Sequence, residues 1–381
     1  MTTWTIYRLQ PRLGGAFHFG VRGLEQESSA PMCPSDTLFA ALVATCAELD
    51  GDAGARAFVA PFEAGVPPYL LTSAFPRAGD LCLLPKPFAR APFEPGPRQR
   101  KLLKRLAFVS PGIFRRWLAG ESLAVHADPE QAKGLFLQDG GVWITDDEVD
   151  GLPDCWADHV PETAGKRSAW RSWLTTPGGL TWLRGRRVWT SGAVDRVTVD
   201  RATSGSAVYR IGRTVYADGC GLWFGARWEG APDATALAEL ETMLALLGDS
   251  GLGGERSVGY GQFTASRSGE DLSLPDVEPG GAALTLSRYL PKPSELPGAL
   301  RGQAAYRLDP VAGWLGAPGQ PARRRRQARM LTEGSAFTPV GPGPWGRVVD
   351  VRPEGWTAHP IWRYGYACPV GVKGAQEVSR D

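Results

Sequence analysis

An α+β fold follows from three features of this 381-residue chain. Over residues 1–267, segments of alternating and of helical hydrophobic periodicity follow one another in the order β-α-β-β-α-β. A glycine-rich loop joins the second of those helices to the last strand, and a Gly/Pro/Ser/acidic stretch at 268–281 separates this unit from a strand-rich remainder. The element order is the ferredoxin-like (RRM-like) pattern shared by RNA-recognition folds. A long insertion at about 88–182 interrupts it, and a second, smaller, β-rich α+β domain is expected over 282–381.

Residues 3–10 alternate, with Trp4, Ile6 and Arg8 on one side and Thr5, Tyr7 and Leu9 on the other, which predicts the opening strand. After a loop with Gly14, Gly15 and Gly20, Ser35 is the predicted N-cap of a helix running from Asp36 to Leu49. Leu38, Leu42, Cys46 and Leu49 form its apolar face, and Asp36 complements the helix dipole. Strands are expected around 69–75 and 81–84, ending at Pro85-Lys86-Pro87. From Phe88 to about Trp182 periodicity weakens, so a short helix near Lys101–Leu106 and mobile loops are expected there. Residues 194–200 and 208–216 flank the turn-rich 203–206 as a hairpin, a strand follows at 221–228, and a helix at 233–247 turns Leu237, Leu240, Leu244 and Leu247 inward. Beyond the linker, strands are expected at 283–289, 347–351 and 361–370.

The glycine-rich loop carries the strongest functional signal. Gly248, Gly251, Gly253, Gly254, Gly259 and Gly261 fall in one short stretch with Arg256, Ser257 and Tyr260. It is neither GxxxxGK[ST] nor a GxGxxG that leaves a strand and opens a helix, since here the order is helix, loop, strand. Six glycines exceed what a turn needs, and each raises the entropy cost of ordering the loop. Such a loop can offer backbone N–H groups to an anion, with Arg256 to pair a phosphate and Tyr260 to stack on a base. That chemistry points to RNA.

A net charge of +2 excludes a protein that holds nucleic acid by bulk charge. Contact has to come from local patches: Arg98, Arg100, Lys101, Lys104 and Arg105; Arg184, Arg186 and Arg187; and Arg323 to Arg326 with Arg329. Fourteen tryptophans are an unusual number, and Trp170, Trp173, Trp182 and Trp189 are read as protein contacts ahead of base-stacking platforms. Six cysteines without a CxxC argue against zinc and for reduced thiols. With no apolar run of about eighteen residues and no leader pattern, a cytoplasmic chain without membrane contact is expected.

His18 raises a catalytic alternative, because a histidine near the end of a first strand can move protons near neutral pH. A second proton-transfer group would have to stand beside it. Asp36 has a structural reason to sit in a first helical turn, and Asp146-Asp147-Glu148 lacks a matching cluster for a two-metal site. Asp249 and Glu255 read as partners for Arg256 or for neighbouring N–H groups.

Several segments, taken together and in one order, resemble the RAMP superfamily of CRISPR subunits. They are Phe17-His18-Phe19-Gly20, the 35–42 segment, 73–77, 84–87, Val199-Asp200-Arg201, 219–224 and the 253–261 loop. Glu333-Gly334-Ser335 and the 359–366 segment narrow the resemblance to the subunit that caps the 5′ end of the guide RNA in type III-A (Csm) complexes. The chain is long for that family, and neither the 106–182 stretch nor Arg323–Arg326 finds a place in its pattern.

The resemblance implies a RAMP fold and a non-catalytic, crRNA-binding role without cofactor or metal. Such subunits hold the repeat-derived 5′ tag, dock the large polymerase-domain subunit and the first backbone RAMP subunit, and use a thumb to kink the guide–target RNA duplex near its edge. The RNA contacts expected on this basis are His18, Ser35, Lys86, Arg201, Gly253, Gly254, Arg256, Ser257 and Tyr260. Lys86–Arg105 is the first candidate for the thumb and the hairpin around Asp200–Val208 the second. The alternatives are the equivalent subunit of a type III-B or III-D complex, and a metal-independent crRNA-processing endoribonuclease using His18.

Overall fold

Strand β1 (Thr3–Pro11) leads into helix α1 (Ser35–Glu63), then into β2 (Tyr69–Leu71), β3 (Phe75–Ala78) and β4 (Leu81–Cys82). The computed structural model describes residues 3–20, 28–128, 133–161, 169–199, 206–269, 272–317 and 320–373. Helix α1 is longer than its periodicity predicts because it has two limbs, broken at Gly51, whose φ of 65° a side chain would disfavour. Its first limb buries Leu38, Leu42 and Cys46 as expected and Phe39 besides, whereas Leu49, expected on the same face, is half-exposed next to the break; Phe62 on the second limb packs edge-on against Phe39.

The stretch expected to be loops is a small ordered layer. It contains β5 (Leu84–Pro85), α2 (Pro97–Arg105), β6 (Phe108–Val109), α3 (Pro111–Ala119), β7 (Gly134–Leu137) and β8 (Val142–Thr145). Its strands form one sheet in the order β5-β6-β8-β7. Strands of two to four residues are too short to carry a visible period, which is why pattern reading missed them. Glu148 ties the layer together by accepting from the Thr145 hydroxyl (2.7 Å) and the Gly112 N–H (2.7 Å), so this carboxylate is a bracket in the fold. Helices α4 (Trp170–Trp173) and α5 (Pro177–Gly185) follow, and Trp170 and Trp189 are buried in the main core.

Next comes a hairpin of β9 (Trp189–Val199) and β10 (Ser206–Tyr216), eleven residues per strand, which forms a two-stranded sheet of its own and is tied to the body by a bridge between Phe17 and Thr214. Strand β11 (Cys220–Trp228), helix α6 (Ala234–Ser250) and β12 (Phe263–Arg267) complete the main antiparallel sheet in the order β12-β1-β11-β3-β4, with β2 also on β11. The last strand of the unit therefore lies beside the first. Leu240, Leu244 and Leu247 of α6 are buried as the periodicity predicts, while Leu237 is only partly covered.

The remainder is built from β13 (Ala282–Thr285), β14 (Leu308–Val311), β15 (Trp314–Ala317), β16 (Gln320–Arg324) and β17 (Ala328–Leu331). It ends with β18 (Ala336–Phe337), β19 (Val349–Asp350), β20 (Trp362–Arg363) and β21 (Pro369–Val372). β13 is the centre of a three-stranded sheet between β18 and β21, and the other strands pair as β14–β17, β15–β16 and β19–β20. Trp362, Tyr364, Tyr366 and Cys368 belong to the same core cluster as Tyr7 and Phe39. The Tyr364 hydroxyl accepts the Leu71 N–H at 3.0 Å, which fastens β2 to this segment. Among the described residues no helix is long and apolar enough to cross a membrane.

Candidate nucleic-acid interface

Helix α6 ends where Gly251 takes φ 90°, and the chain then turns back along residues 16–18. Leu252, fully buried, anchors the loop, and its N–H donates to Gly261 O (2.9 Å). Gly254 N–H donates to His18 O and Gly261 N–H to Ala16 O, at 2.9 and 2.8 Å. A Cβ on Gly253 would sit 2.6 Å from His18 O, and one on Gly254 2.8 Å from His18 Cδ2, so glycine at these two positions is a steric requirement. Most of the loop N–H groups are spent inside the protein. Those of Gly253, Glu255, Arg256 and Ser257 have no partner among the described residues.

The imidazole of His18 is held by Nδ1 against Gly212 O at 2.7 Å, which leaves Nδ1 as the donor and Nε2 open. His18 and the loop form one wall of a groove of about 1400 Å³. The first turn of α1 lies along it, and the opposite wall comes from 308–314, Arg325 and Arg363. Five arginines line this groove with three carboxylates, Asp36, Glu255 and Asp309. The pairing is uneven. Arg363 and Asp36 form an ion pair with side chains only 4% and 6% exposed. Arg288 contacts Asp309 (3.3 Å) and Glu333 (3.2 Å); burial alone would lower it, and Glu333, Asp36 and Asp309 together hold it above its ordinary value. Arg210 pairs with Asp195.

Arg256 and Arg325 have no carboxylate partner among the described residues. Burial lowers the Arg325 pKa, as does the neighbouring Arg363, and its Nε is buried without a hydrogen bond. A cation so placed favours an anion in the groove.

The fold brings together His18, Gly253, Gly254 and Arg256 of the residues predicted from sequence. Four others stand differently. Ser35 is not the cap: Pro34 occupies that position, and Ser35 is fully buried, its hydroxyl accepting the Arg288 N–H at 2.9 Å. Lys86 gives its ammonium to Leu103 O at the end of α2 (2.9 Å), and burial lowers its pKa. Tyr260 is 7% exposed, packed with Ala16 and Ile211 beneath the hairpin, and the Arg196 guanidinium covers its ring at 5.7 Å; no face is left for a base. Ser257 is exposed beside Arg256 but does not line the groove. Arg201 lies outside the described residues. Asp249 pairs with Arg12 and not with Arg256.

Sequence reading missed Arg288, Arg325, Arg363 and Trp314, the last half-exposed at the groove with Arg324 over its ring at 5.0 Å. Arg325 stood inside the tetra-arginine run and Arg363 inside the 359–366 segment, so the residues were visible and their meeting was not. The segment 86–105, first choice for a thumb, packs on the inserted layer. The β9–β10 hairpin, the second choice, forms a sheet of its own, with Val197, Val199 and Val208 exposed toward its tip.

Residues 278–372 match the family described as the CRISPR Csm4 C-terminal domain. Over 357 residues, 93% of each chain, this protein is 26% identical to the Mycobacterium tuberculosis protein "CRISPR system Cms protein Csm4" of strains CDC 1551 / Oshkosh and H37Rv. The chain is thus similar to Csm4 proteins along nearly its whole length. The fold is also that of solved structures. A chain in the crystal structure of a Csm3–Csm4 subcomplex of the type III-A CRISPR-Cas interference complex superposes with a TM-score of 0.64 at 16% identity, covering 97% of this chain and 99% of that one. A chain of a Csm1–Csm4 cassette in complex with AMPPNP gives 0.50 at 15% identity, covering 97% and 98%.

Proposed function

We propose that this protein is a non-catalytic crRNA-binding subunit of a type III-A CRISPR interference complex, acting in antiviral defence in the cytoplasm. It holds the repeat-derived 5′ tag of the guide in the groove between the glycine loop and the 308–314 wall. The observation that carries the reading is the groove itself: it is lined by two guanidinium groups without a carboxylate partner among the described residues, Arg256 and Arg325, and by Gly253, Glu255 and Arg256, whose backbone N–H groups are unspent among the described residues. Arg pairs phosphate oxygens in a bidentate fork, and backbone N–H groups add donors without reading bases. The open Nε2 of His18 supplies one further polar contact.

The strand order β12-β1-β11-β3 supports reading the main unit as a ferredoxin-like RAMP fold interrupted by an insertion. The likeness to Csm3–Csm4 and Csm1–Csm4 structures supports docking onto a backbone RAMP subunit and onto the large polymerase-domain subunit. The β9–β10 hairpin is the thumb that meets target RNA at the guide edge, with its exposed valines as the apolar tip.

The test is crosslinking of the co-purified complex with sequencing of the bound RNA. Crosslinks from the 251–257 and 312–325 peptides confined to the 5′ end of a uniform guide are expected. Crosslinks spread along precursor RNA would overturn the reading. The open Nε2 also keeps RNA cleavage by His18 as a second reading. Cleaved precursor ends made by the purified protein without metal, and lost in His18→Ala, would establish it.

A further inference from the structure

Two basic runs far apart in the chain meet on one face of the inserted layer, away from the groove. Helix α2 carries no buried residue, yet its sides differ. At 100° per residue, Arg98, Arg100, Lys101, Lys104 and Arg105 fall within an arc of about 160°. Leu103 and the C-cap Leu106 take the opposite side and join the main core, while Leu102 borders the cationic arc next to Arg98.

Gly140 brings the second run alongside. A Cβ there would lie 3.1 Å from Leu102 Cδ1 and 3.9 Å from Arg184 Nη2, so the Arg184 side chain reaches the same turn as α2. Arg187 pairs with Asp139 in that turn, the Gln138 N–H donates to Arg186 O (2.8 Å), and the Arg186 guanidinium lies 4.1 Å over the Trp182 ring. Across 97–105, 138–140 and 184–187, eight cations stand with one carboxylate, Asp139, in a chain whose net charge is only +2. Arg98, Lys101, Lys104, Arg105 and Arg184 have no ion-pair partner among the described residues.

We propose that this face is a second RNA-binding surface, separate from the groove, which holds a phosphodiester backbone without reading bases. Lys101–Lys104, Lys101–Arg105 and Arg100–Lys104 stand three or four residues apart on the helix, where like charges repel, and a polyanion relieves that repulsion. Cations three or four residues apart are separated by about 4.5–6 Å along the helix axis, a ladder suited to a chain of closely spaced charges. Protein partners take hold through aromatic and apolar anchors at the centre of an interface. None of the exposed large apolar side chains of the described residues falls in 97–105 or 184–187, and Trp182 is already covered by Arg186. A face of eight cations with a single carboxylate and without such anchors fits a backbone of phosphates.

The choice of RNA as ligand rests on the proposed function, so the experiment separates the two. The full chain and its Lys101→Gln/Lys104→Gln/Arg184→Gln variant are titrated with a complete guide RNA and with an oligonucleotide of its 5′ tag alone, over a range of salt. Glutamine keeps helix propensity, and all three positions are exposed, so unchanged thermal unfolding is expected. The variant should bind the complete guide more weakly, with the slope of log affinity against log salt reduced by about 2, since each single-strand phosphate contact contributes about 0.7. Its affinity for the tag oligonucleotide should not change. An unaltered guide slope would overturn the proposal, and so would intact RNA binding with loss of a protein partner from the complex. Arg256→Ala/Arg325→Ala in parallel should weaken the tag oligonucleotide. If it does not, the groove reading fails while the guide slope of the first variant still decides the second surface.

Discussion

Replacing Gly253 by alanine perturbs the glycine loop at the point where it touches His18. The residue has φ 99°, where an L side chain costs about 1–2 kcal/mol. The new Cβ would also stand 2.6 Å from His18 O, too close for any real contact, so the loop has to lift. Lifting breaks the Gly254 N–H to His18 O bond of 2.9 Å, worth about 1 kcal/mol net. Gly259→Ala is the control, because Gly259 has φ 87° but nothing within 4 Å of its Cβ direction. The two substitutions share the backbone cost and differ by about 1–1.5 kcal/mol of contact, roughly tenfold in the docked population of the loop. Hydrogen exchange at the Gly254 amide reads that population directly. Exchange should be about tenfold faster in Gly253→Ala than in Gly259→Ala, with tag-RNA affinity falling in the same order. Equal exchange in the two variants would refute the claim that close approach to His18 demands glycine at 253.

Asp36→Ala strands the Arg363 guanidinium in a site where both side chains are almost fully covered, and a loss of about 3–5 kcal/mol is expected in denaturant unfolding. A loss under 1 kcal/mol would mean that water reaches the pair. Stability should also fall in alkali. Burial pushes the thiols of Cys46 up to about 11 and of Cys220 and Cys368 up to about 12, from an ordinary value near 9. The folded state then binds more protons than the unfolded state above about pH 9, so this stability is complete below that pH and is lost as pH rises toward the folded values. Between pH 8 and pH 10 the three thiols together should remove about 4 kcal/mol, read as a lower denaturant midpoint. A midpoint that stays level to pH 10 would show that these thiols are not desolvated.

Local pattern revealed the elements that are long and one-sided. The apolar faces at 38–46 and 240–247, the opening strand and the hairpin partners were all legible because each spans several turns or pleats of one period. The strands of the inserted layer were not, since two to four residues are too few to show a period. Within the candidate site, His18 and the glycines were legible from residue chemistry and spacing. Tyr260 and Lys86 were not, because a tyrosine suited to stacking and a lysine suited to phosphate look the same whether solvent or protein covers them.

What the sequence by itself determined is local: where helices and strands have a period, and that a six-glycine loop with an arginine comes between α6 and β12. It also supplied the cations. Tertiary structure decided which of them are spent. Asp36 and Arg363 are 327 residues apart, yet folding brings them into one buried ion pair, while Arg325 beside Arg363 has no carboxylate in ion-pair contact among the described residues. The same holds for the two basic runs that flank Gly140. Pairing and desolvation depend on distances across the fold, and a hydrophobic period carries no information about which distant segments will share a surface.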